Sequence, residues 1–368
     1  MELDYRNAGL ILSRAKGSTT GRIGWESPSN IAIIKYWGKY GQQLPKNPSL
    51  SFTLSNSVTR TWMTYSPKKE GKGAGKVNLR LYFEDELNLS FGSRVEKFFL
   101  GLLDIFPFLG ELDLEVRTSN TFPHSSGIAS SASGMSALAM GLCTLEQELF
   151  GTLTDESIFL RKASYIARLG SGSACRSVFP GLVVWGDHGE VSGASDLFAV
   201  PLASNRIDPI FQTFHDDILI VSKGEKKVSS SVGHGLMDGN RYAANRYAEA
   251  GEHFSQLLAC LQSGDVDGFG KIAEAEALSL HALMMTSQPP FILMEPASLA
   301  IIQQVQAYRA RTGLPVYFTL DAGPNIHLLY PDAIAAEVAV WLDEVLVPHV
   351  GELRIIKDQV GKGPKKLV

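Results

Sequence analysis

Residues 125 to 134 read Ser-Ser-Gly-Ile-Ala-Ser-Ser-Ala-Ser-Gly, a run of small side chains with a single Ile. Met135, Leu138, Ala139, Leu142, Leu145 and Leu149 follow on one stripe at helical spacing. A loop of small residues that opens a buried helix exposes backbone N–H groups beside the positive end of the helix dipole, which suits a phosphate. Ser125, Ser126, Gly127, Ser130 and Ser131 are the candidate groups. Small side chains let an anion approach the backbone, and the hydroxyls can add hydrogen bonds or reach a metal ion. A plain Ser/Gly turn with an N-cap is the alternative.

Three further clusters carry polar chemistry. Ser171-Gly172-Ser173-Ala174-Cys175-Arg176-Ser177 combines hydroxyl and N–H donors with one guanidinium able to grip an oxyanion through two parallel bonds. Its alternative is a helix C-cap with Arg176 turned to solvent. Asn30-Ile31-Ala32-Ile33-Ile34-Lys35-Tyr36-Trp37-Gly38-Lys39 is a branched apolar strand ending in two lysines and two aromatics. If that strand is central, Lys35 and Lys39 can meet anionic groups, with Tyr36 and Trp37 as walls. An edge strand with solvated lysines is the alternative. Thr319-Leu320-Asp321-Ala322-Gly323-Pro324-Asn325 places an Asp at a strand-to-turn corner. Asp321 could serve as a general base or a metal ligand, or close an Asx-turn.

Composition bounds what these clusters can serve. The 368 residues are 45% hydrophobic with a formal net charge of −4, enough for a buried core and without the basic excess a nucleic-acid binder needs. Lysines gather at Lys68–Lys76 and Lys362–Lys366, which read as solvated loop and tail. Three scattered cysteines give neither a disulfide framework nor a zinc site, and no HxxxH or HExxH pair occurs. With no signal-type run and no stretch of about 20 apolar residues, a cytoplasmic protein without membrane partners is expected.

The elements that must position these residues mix strands and helices without regular βαβ alternation, which predicts an α+β fold. Strands are expected over 31–36, 51–56, 59–65, 77–83, 113–117 and 181–186, with a loose hairpin tip at Gly71–Gly75. Helices are expected over 94–106, 131–149 and, capped by Thr154-Asp155-Glu156, to about Leu169. Beyond a break at Ser204–Pro209 the chain turns more helical, over 240–262, 265–285, 296–312 and 333–346. Strands there are expected at 218–221, 316–320, 326–330 and near 354–358. The break divides the chain into domains 1–208 and 209–368.

No GxxxxGK[ST] sequence occurs, so the small-residue loop is not a Walker A motif. Pro123-His124-Ser125-Ser126-Gly127-Ile128-Ala129-Ser130-Ser131 instead resembles the Pro-x3-Gly-Leu-x-Ser-Ser phosphate loop of the GHMP small-molecule kinase superfamily. Within it, the NIAxIKYWGK, SGSACRS and DAGPN segments resemble the diphosphomevalonate decarboxylase family. Pro289-Pro290 with Phe291 to Met294, and the Val360-Gly361-Lys362-Gly363-Pro364 tail, are also similar. The likeness spans about residues 25–365. His124-Ser125-Ser126 is more polar than that family's loop, Lys362 stands where its tail commonly has Pro, and about twenty residues from Met1 precede the shared pattern.

The resemblance implies a two-domain fold: an N-terminal domain like ribosomal protein S5 domain 2, a ferredoxin-like C-terminal domain, and an active site in the cleft between them. The C-terminal strand would pack back on the first domain. It implies phosphoryl transfer from ATP, with Mg2+, to the tertiary alcohol of mevalonate 5-diphosphate, then loss of phosphate and CO2 to give isopentenyl diphosphate. Asp321 would orient or deprotonate the hydroxyl, and Lys35 would balance that carboxylate. Arg176 with Ser171 and Ser173 would hold the acidic end of the substrate. Tyr36 and Lys39 would contact its diphosphate, and Asn30 would help order the site. Ser125, Ser126, Gly127, Ser130 and Ser131 would cradle ATP, with Ser131 reaching Mg2+ and serving the chemistry. A homodimer is implied as well. A phosphomevalonate decarboxylase, a 3-kinase that stops at phosphorylation, and a silent nucleotide-binding protein are the competing functions.

Overall fold

In the computed structural model, residues 4–69, 76–123, 128–222, 230–350 and 354–368 are described. The chain forms two principal sheets. In the first, β1 (Gly21–Ile34) lies antiparallel to β4 (Ser49–Pro67), and the hairpin of β2 (Lys39–Tyr40) and β3 (Leu44–Pro45) falls between them in the chain. The sheet continues through β7 (Leu112–Asn120) to β5 (Asn78–Phe83), which runs parallel to β7, and ends in β6 (Glu86–Leu87). β8 (Leu182–Trp185) pairs with the start of β4, and β9 (Ala199–Pro201) pairs with β8. The helices α1 (Leu89–Leu100), α2 (Ser130–Phe150) and α3 (Glu156–Gly170) bury Phe99, Leu142, Leu145 and Ile166 in one cluster with Met63, Leu114 and Val116 of the strands.

The second sheet is antiparallel throughout. Its order is β11 (Tyr317–Thr319), β12 (Ile326–Tyr330), β10 (His215–Ile220), β13 (Arg354–Ile356). The short α4 (Ser230–Gly235), the long α5 (Ala243–Ser263), α6 (Val266–Met285) and α7 (Pro296–Thr312), and α8 (Ala335–Trp341) complete this half. One apolar cluster joins the halves, with Ile31, Ile33, Leu50 and Phe52 packed with Phe254, Phe269, Ile218 and Leu329. The second part of β1 is therefore covered on both faces. That is why its apolar residues run almost without alternation and why Ser27, Ser29 and Asn30 there are buried too.

Several boundaries differ from those expected. β1 begins at Gly21 rather than Ile31, and a single strand spans 49–67 where the polar Ser55-Asn56-Ser57 suggested a break. Those polar residues mark the clasp of the C-terminal segment. The backbone N–H groups of Ser55, Asn56 and Ser57 donate to the buried Asp358 carboxylate at 2.7, 2.8 and 2.7 Å. Gly361 N–H then donates to the Thr53 carbonyl at 2.7 Å, and β14 (Lys365–Leu367) pairs with Gly24–Glu26 of β1. The Lys362–Lys366 stretch is thus partly a strand rather than a solvated tail, with Lys366 Nζ 3.0 Å from Glu148. Asn88 caps α1, accepting from Phe91 N–H at 2.9 Å, so that helix covers 89–100 and not 94–106. The last helix keeps regular spacing only to Trp341, then widens over Leu342–Leu346. The Gly71–Gly75 hairpin tip lies outside the described residues.

Asp358→Ala removes four charge-assisted bonds from a buried site, those from the N–H groups of Ser55, Asn56, Ser57 and Gln359, and of these Ser55 keeps the Gln359 carbonyl as acceptor. The variant is expected to unfold about 2–4 kcal/mol more easily. Urea denaturation measures this, and an unchanged midpoint would mean that the C-terminal segment lies on the sheet without holding it. Among the described residues, no helix is long and apolar enough to cross a membrane.

Candidate active site

A cavity of about 830 Å³ opens between the two halves, lined by Lys35, Tyr36, Lys39, Ser130, Ser131, Ser171, Ser173, Arg176 and Asp321. The four polar clusters of the sequence thus reach one space. Asn30 stands behind its wall. Ser125, Ser126 and Gly127 lie outside the described residues.

Lys35 is the first residue past β1, and Asp321 begins the turn after β11. Lys35 Nζ donates to Asp321 Oδ1 at 2.8 Å, with the Lys35 side chain 1% exposed and that of Asp321 25%. The edge-strand alternative for Lys35 therefore fails. Burial pulls the Lys35 ammonium below the ordinary lysine range, and the Asp321 carboxylate opposes that pull. The lysine backbone is held as firmly as its tip. Asn47 Nδ2 donates to its carbonyl at 3.0 Å, and its own N–H donates to Glu276 Oε2 at 2.8 Å. His281 Nε2 lies 3.1 Å from the Asp321 carbonyl oxygen.

Arg176 sits in the tight turn Gly172–Val178 and is 3% exposed, not turned to solvent. Its Nη1 donates to Ser49 Oγ at 2.6 Å, and Nε and Nη2 both donate to Asn30 Oδ1 at 3.2 Å. Asn30 is fixed in turn, its Nδ2 donating to Ser177 Oγ at 2.7 Å and to the Ser173 carbonyl at 3.2 Å. The guanidinium is thus pre-oriented by neutral acceptors, and its charge remains available to an anionic ligand.

At the other wall, α2 starts from Ala129, whose φ of +45° is left-handed and whose own side chain offers no cap. The N-terminal, positive end of the helix dipole therefore faces the cavity at Ala129, Ser130 and Ser131. Ser131 stands there, its Oγ 3.4 Å from Ser171 Oγ. Lys39 rides on the β2–β3 hairpin and donates to Gln43 Oε1 at 3.0 Å. Beneath that hairpin the buried Arg168 donates to the carbonyls of Gln42 and Leu197. Partial burial lowers the Lys39 pKa. Among the described residues, no three His, Cys, Asp or Glu groups gather to hold a metal. The Asp321 carboxylate is bound to a buried ammonium.

Several lining groups went unread in the sequence. Arg94 and Lys97 of α1, with Phe83, Phe91 and Phe98, form an apolar and cationic end of the cavity. His234 of α4 lies between Tyr36 and Trp37, ring centroids 4.5 and 4.4 Å away, and its Nδ1 accepts the Gly38 N–H at 2.9 Å. Gly38 adopts φ +93°, and a side chain there would collide with the Tyr247 hydroxyl. Nothing near His234 in the sequence ties it to the lysine segment. Glu276 left a legible signal: a carboxylate on the buried stripe of α6, beside Ala273, Ala277 and Leu280.

Burial holds His234 neutral, with its pKa lowered to about 3. A depressed folded-state value means that the unfolded chain takes up the proton first, so stability present above pH ~6.5 is lost as pH falls toward 3. Between pH 7 and pH 5 the wild type should lose about 2 kcal/mol more than His234→Asn, which keeps an acceptor near Gly38. Urea titrations at the two pH values measure the difference. Equal losses would place the acid sensitivity elsewhere.

Comparison with known proteins agrees with this geometry. Residues 27–197 match the diphosphomevalonate decarboxylase-like N-terminal domain, and residues 217–367 match the mevalonate 5-diphosphate decarboxylase C-terminal domain. A diphosphomevalonate decarboxylase of Aspergillus fumigatus is 32% identical, the alignment covering 88% of this chain and 80% of that one. The chain belongs to the diphosphomevalonate decarboxylase family. Within that family, the mevalonate diphosphate decarboxylase structure from Staphylococcus aureus superposes with a TM-score of 0.79 at 25% identity, covering 95% of this chain and 98% of that one. A structure described as MDDEF in complex with MVAPP, AMPPCP and magnesium gives 0.78 at 27% identity, with 95% and 99% covered. The α+β two-domain fold expected from the sequence is the family's fold. Residues ahead of the matched span pack on the end of α2, where Lys16 and Gly17 N–H groups donate to the Leu149 carbonyl.

Proposed function

We infer that this cavity carries out ATP-dependent decarboxylation of mevalonate 5-diphosphate, yielding isopentenyl diphosphate, ADP, phosphate and CO2. The observation that carries the reading is the buried Lys35–Asp321 pair sharing one cavity with the buried Arg176 and the N-terminal end of α2. The related MDDEF complex holds MVAPP, a nucleotide analogue and magnesium.

The roles follow from this placement. Asp321 accepts the proton of the tertiary hydroxyl as its oxygen bonds the γ-phosphorus, and the bond to ADP breaks. Lys35 balances the carboxylate and keeps it ionised. The 3-phosphate then departs with the C–O bonding pair, which leaves a carbon short of electrons. The C–CO2⁻ bonding pair moves in to form the alkene, and CO2 leaves. Arg176, with Ser171 and Ser173, orients the departing carboxylate without protonating it. Tyr36 and Lys39 hold the substrate diphosphate, and Asn30 fixes Arg176.

The helix start at Ser130 and Ser131, with the Ser125–Gly127 segment, receives the ATP phosphates. Magnesium supplies charge neutralisation on those phosphates. Ser131 is the hydroxyl placed to reach it, which suits a site without a carboxylate cage.

A coupled assay with Mg-ATP and, in turn, mevalonate diphosphate, phosphomevalonate and mevalonate tests the reading. Equal release of ADP, phosphate and CO2 from the diphosphate is expected. ADP without CO2 would make the protein a kinase, and activity on the monophosphate alone would change its substrate. The same reading takes the protein as a cytoplasmic homodimer divided near residues 208 and 209. The gap between the two family matches supports the boundary, and the three free, buried cysteines suit a reducing compartment. Light scattering at micromolar concentration checks the dimer.

A further inference from the structure

We propose that Glu276 is a positioning residue for the reaction: its carboxylate, reaching across from the second half, grips the backbone of Lys35 and sets where the ammonium meets Asp321. The inference rests on the reading of Lys35 given above.

Lys35 lies one residue beyond the last β1–β4 pair, Ile34 with Leu50, so the ladder no longer serves its N–H. Glu276 Oε2 takes that N–H at 2.8 Å. The carboxylate is wholly buried and fully engaged, because Arg246 Nη2 donates to the same oxygen and His253 Nδ1 lies 2.7 Å from Oε1. Both partners project from α5, so two helices cooperate to present one carboxylate to one backbone position of the first half. Asp321, which takes the other end of the lysine, also belongs to the second half. Root and tip of Lys35 are therefore located by the same body.

A neutral acceptor would satisfy an orphan N–H equally well. A full carboxylate adds a second negative charge close to the buried ammonium. The groups facing this pocket are Arg246, His253 and Glu249 from α5, Asp321 and Arg176 at the cavity, and Asp216 of β10, which pairs with His327 of β12 at 2.8 Å. Burial lowers the Lys35 pKa, and the charges of Asp321, Glu276 and Asp216 oppose that.

Two substitutions separate grip from charge. Glu276→Gln keeps an oxygen for the Lys35 N–H and loses the charge. Glu276→Asp keeps the charge and, one methylene short, loses the reach. Losing the charge lets Lys35 deprotonate at lower pH. Glu276→Gln should therefore lower kcat about 10-fold and move the alkaline limb of kcat down by about 0.5 pH unit or more. Glu276→Asp should lower kcat about as far with the limb in place, and KM for ATP should stay within about twofold in both. Loss of stability alone moves neither the limb nor kcat per folded molecule.

Lys35→Met is the control. Wild-type turnover in that variant would remove the reading of Lys35 itself. An inactive Lys35→Met alongside folded Glu276 variants of wild-type kcat and limb would overturn the inference while leaving that reading intact. If neither Glu276 variant folds by circular dichroism, His253→Asn at the more accessible end decides. A kcat lowered about threefold or more at unchanged ATP KM supports the grip, and wild-type kcat overturns it.

Discussion

Asp321→Asn should lower kcat by at least ~100-fold while nucleotide affinity stays within about twofold. The amide preserves shape and one acceptor but cannot take the proton of a tertiary alcohol. It also leaves Lys35, 1% exposed, without the carboxylate that meets its ammonium at 2.8 Å. Two losses thus follow from one atom: the base disappears, and the buried cation becomes easier to deprotonate. The nucleotide site proposed above, at the start of α2, is not touched by this substitution. CO2 release in the steady state and calorimetric titration with a non-hydrolysable nucleotide measure the two arms. Turnover like that of the wild type would remove Asp321 from the chemistry, and equal loss of turnover and affinity would point to damage spread beyond the site.

Lys35→Met should cost about 10³-fold in kcat, at the upper end of what one charged or hydrogen-bonding group contributes to a preorganised site. Methionine fills much of the lysine's volume, so packing between the halves survives. What vanishes is the ammonium that meets the Asp321 carboxylate at 2.8 Å, together with a positive charge lining the cavity. Because Lys35 and Asp321 act as one unit, the double variant should be hardly slower than either single one. Single-turnover quench measurements on the three variants test this. Multiplicative losses would show that the two residues act independently.

Much of this was legible in the residues. α2, α3, α6 and α7 follow from apolar periodicity and caps. Asp155 accepts the Ile158 N–H at 3.0 Å as its position predicts, and α7 covers Pro296–Thr312 as read. The site clusters were legible because small, charged and aromatic residues interrupt apolar runs at strand ends, where chains turn toward a cleft. What could not be read depends on contacts between distant segments. Ser55-Asn56-Ser57 looks like a turn until Asp358 satisfies its N–H groups. Lys365–Leu367 has no strand pattern of its own and is ordered by β1. His234 gains meaning only through Gly38, and Arg94 and Lys97 only through the aromatic end they share. Local patterns report local preference, whereas these residues answer to partners more than a hundred positions away or to a ligand-sized space.

The pairing of β14 with β1 also bears on how the protein comes into being. A ribosome delivers β1 long before Lys365–Leu367. For most of synthesis the Gly24–Glu26 edge has no neighbour on that side, and Ser55 to Ser57 await a carboxylate not yet translated. An N-terminal fragment released early would carry an open strand edge, the kind of surface on which chains stick to one another. The catalytic cavity shares this late schedule, since Asp321 and Glu276 reach Lys35 only when the second sheet docks. Translation of this chain therefore withholds its chemistry until the second half has emerged.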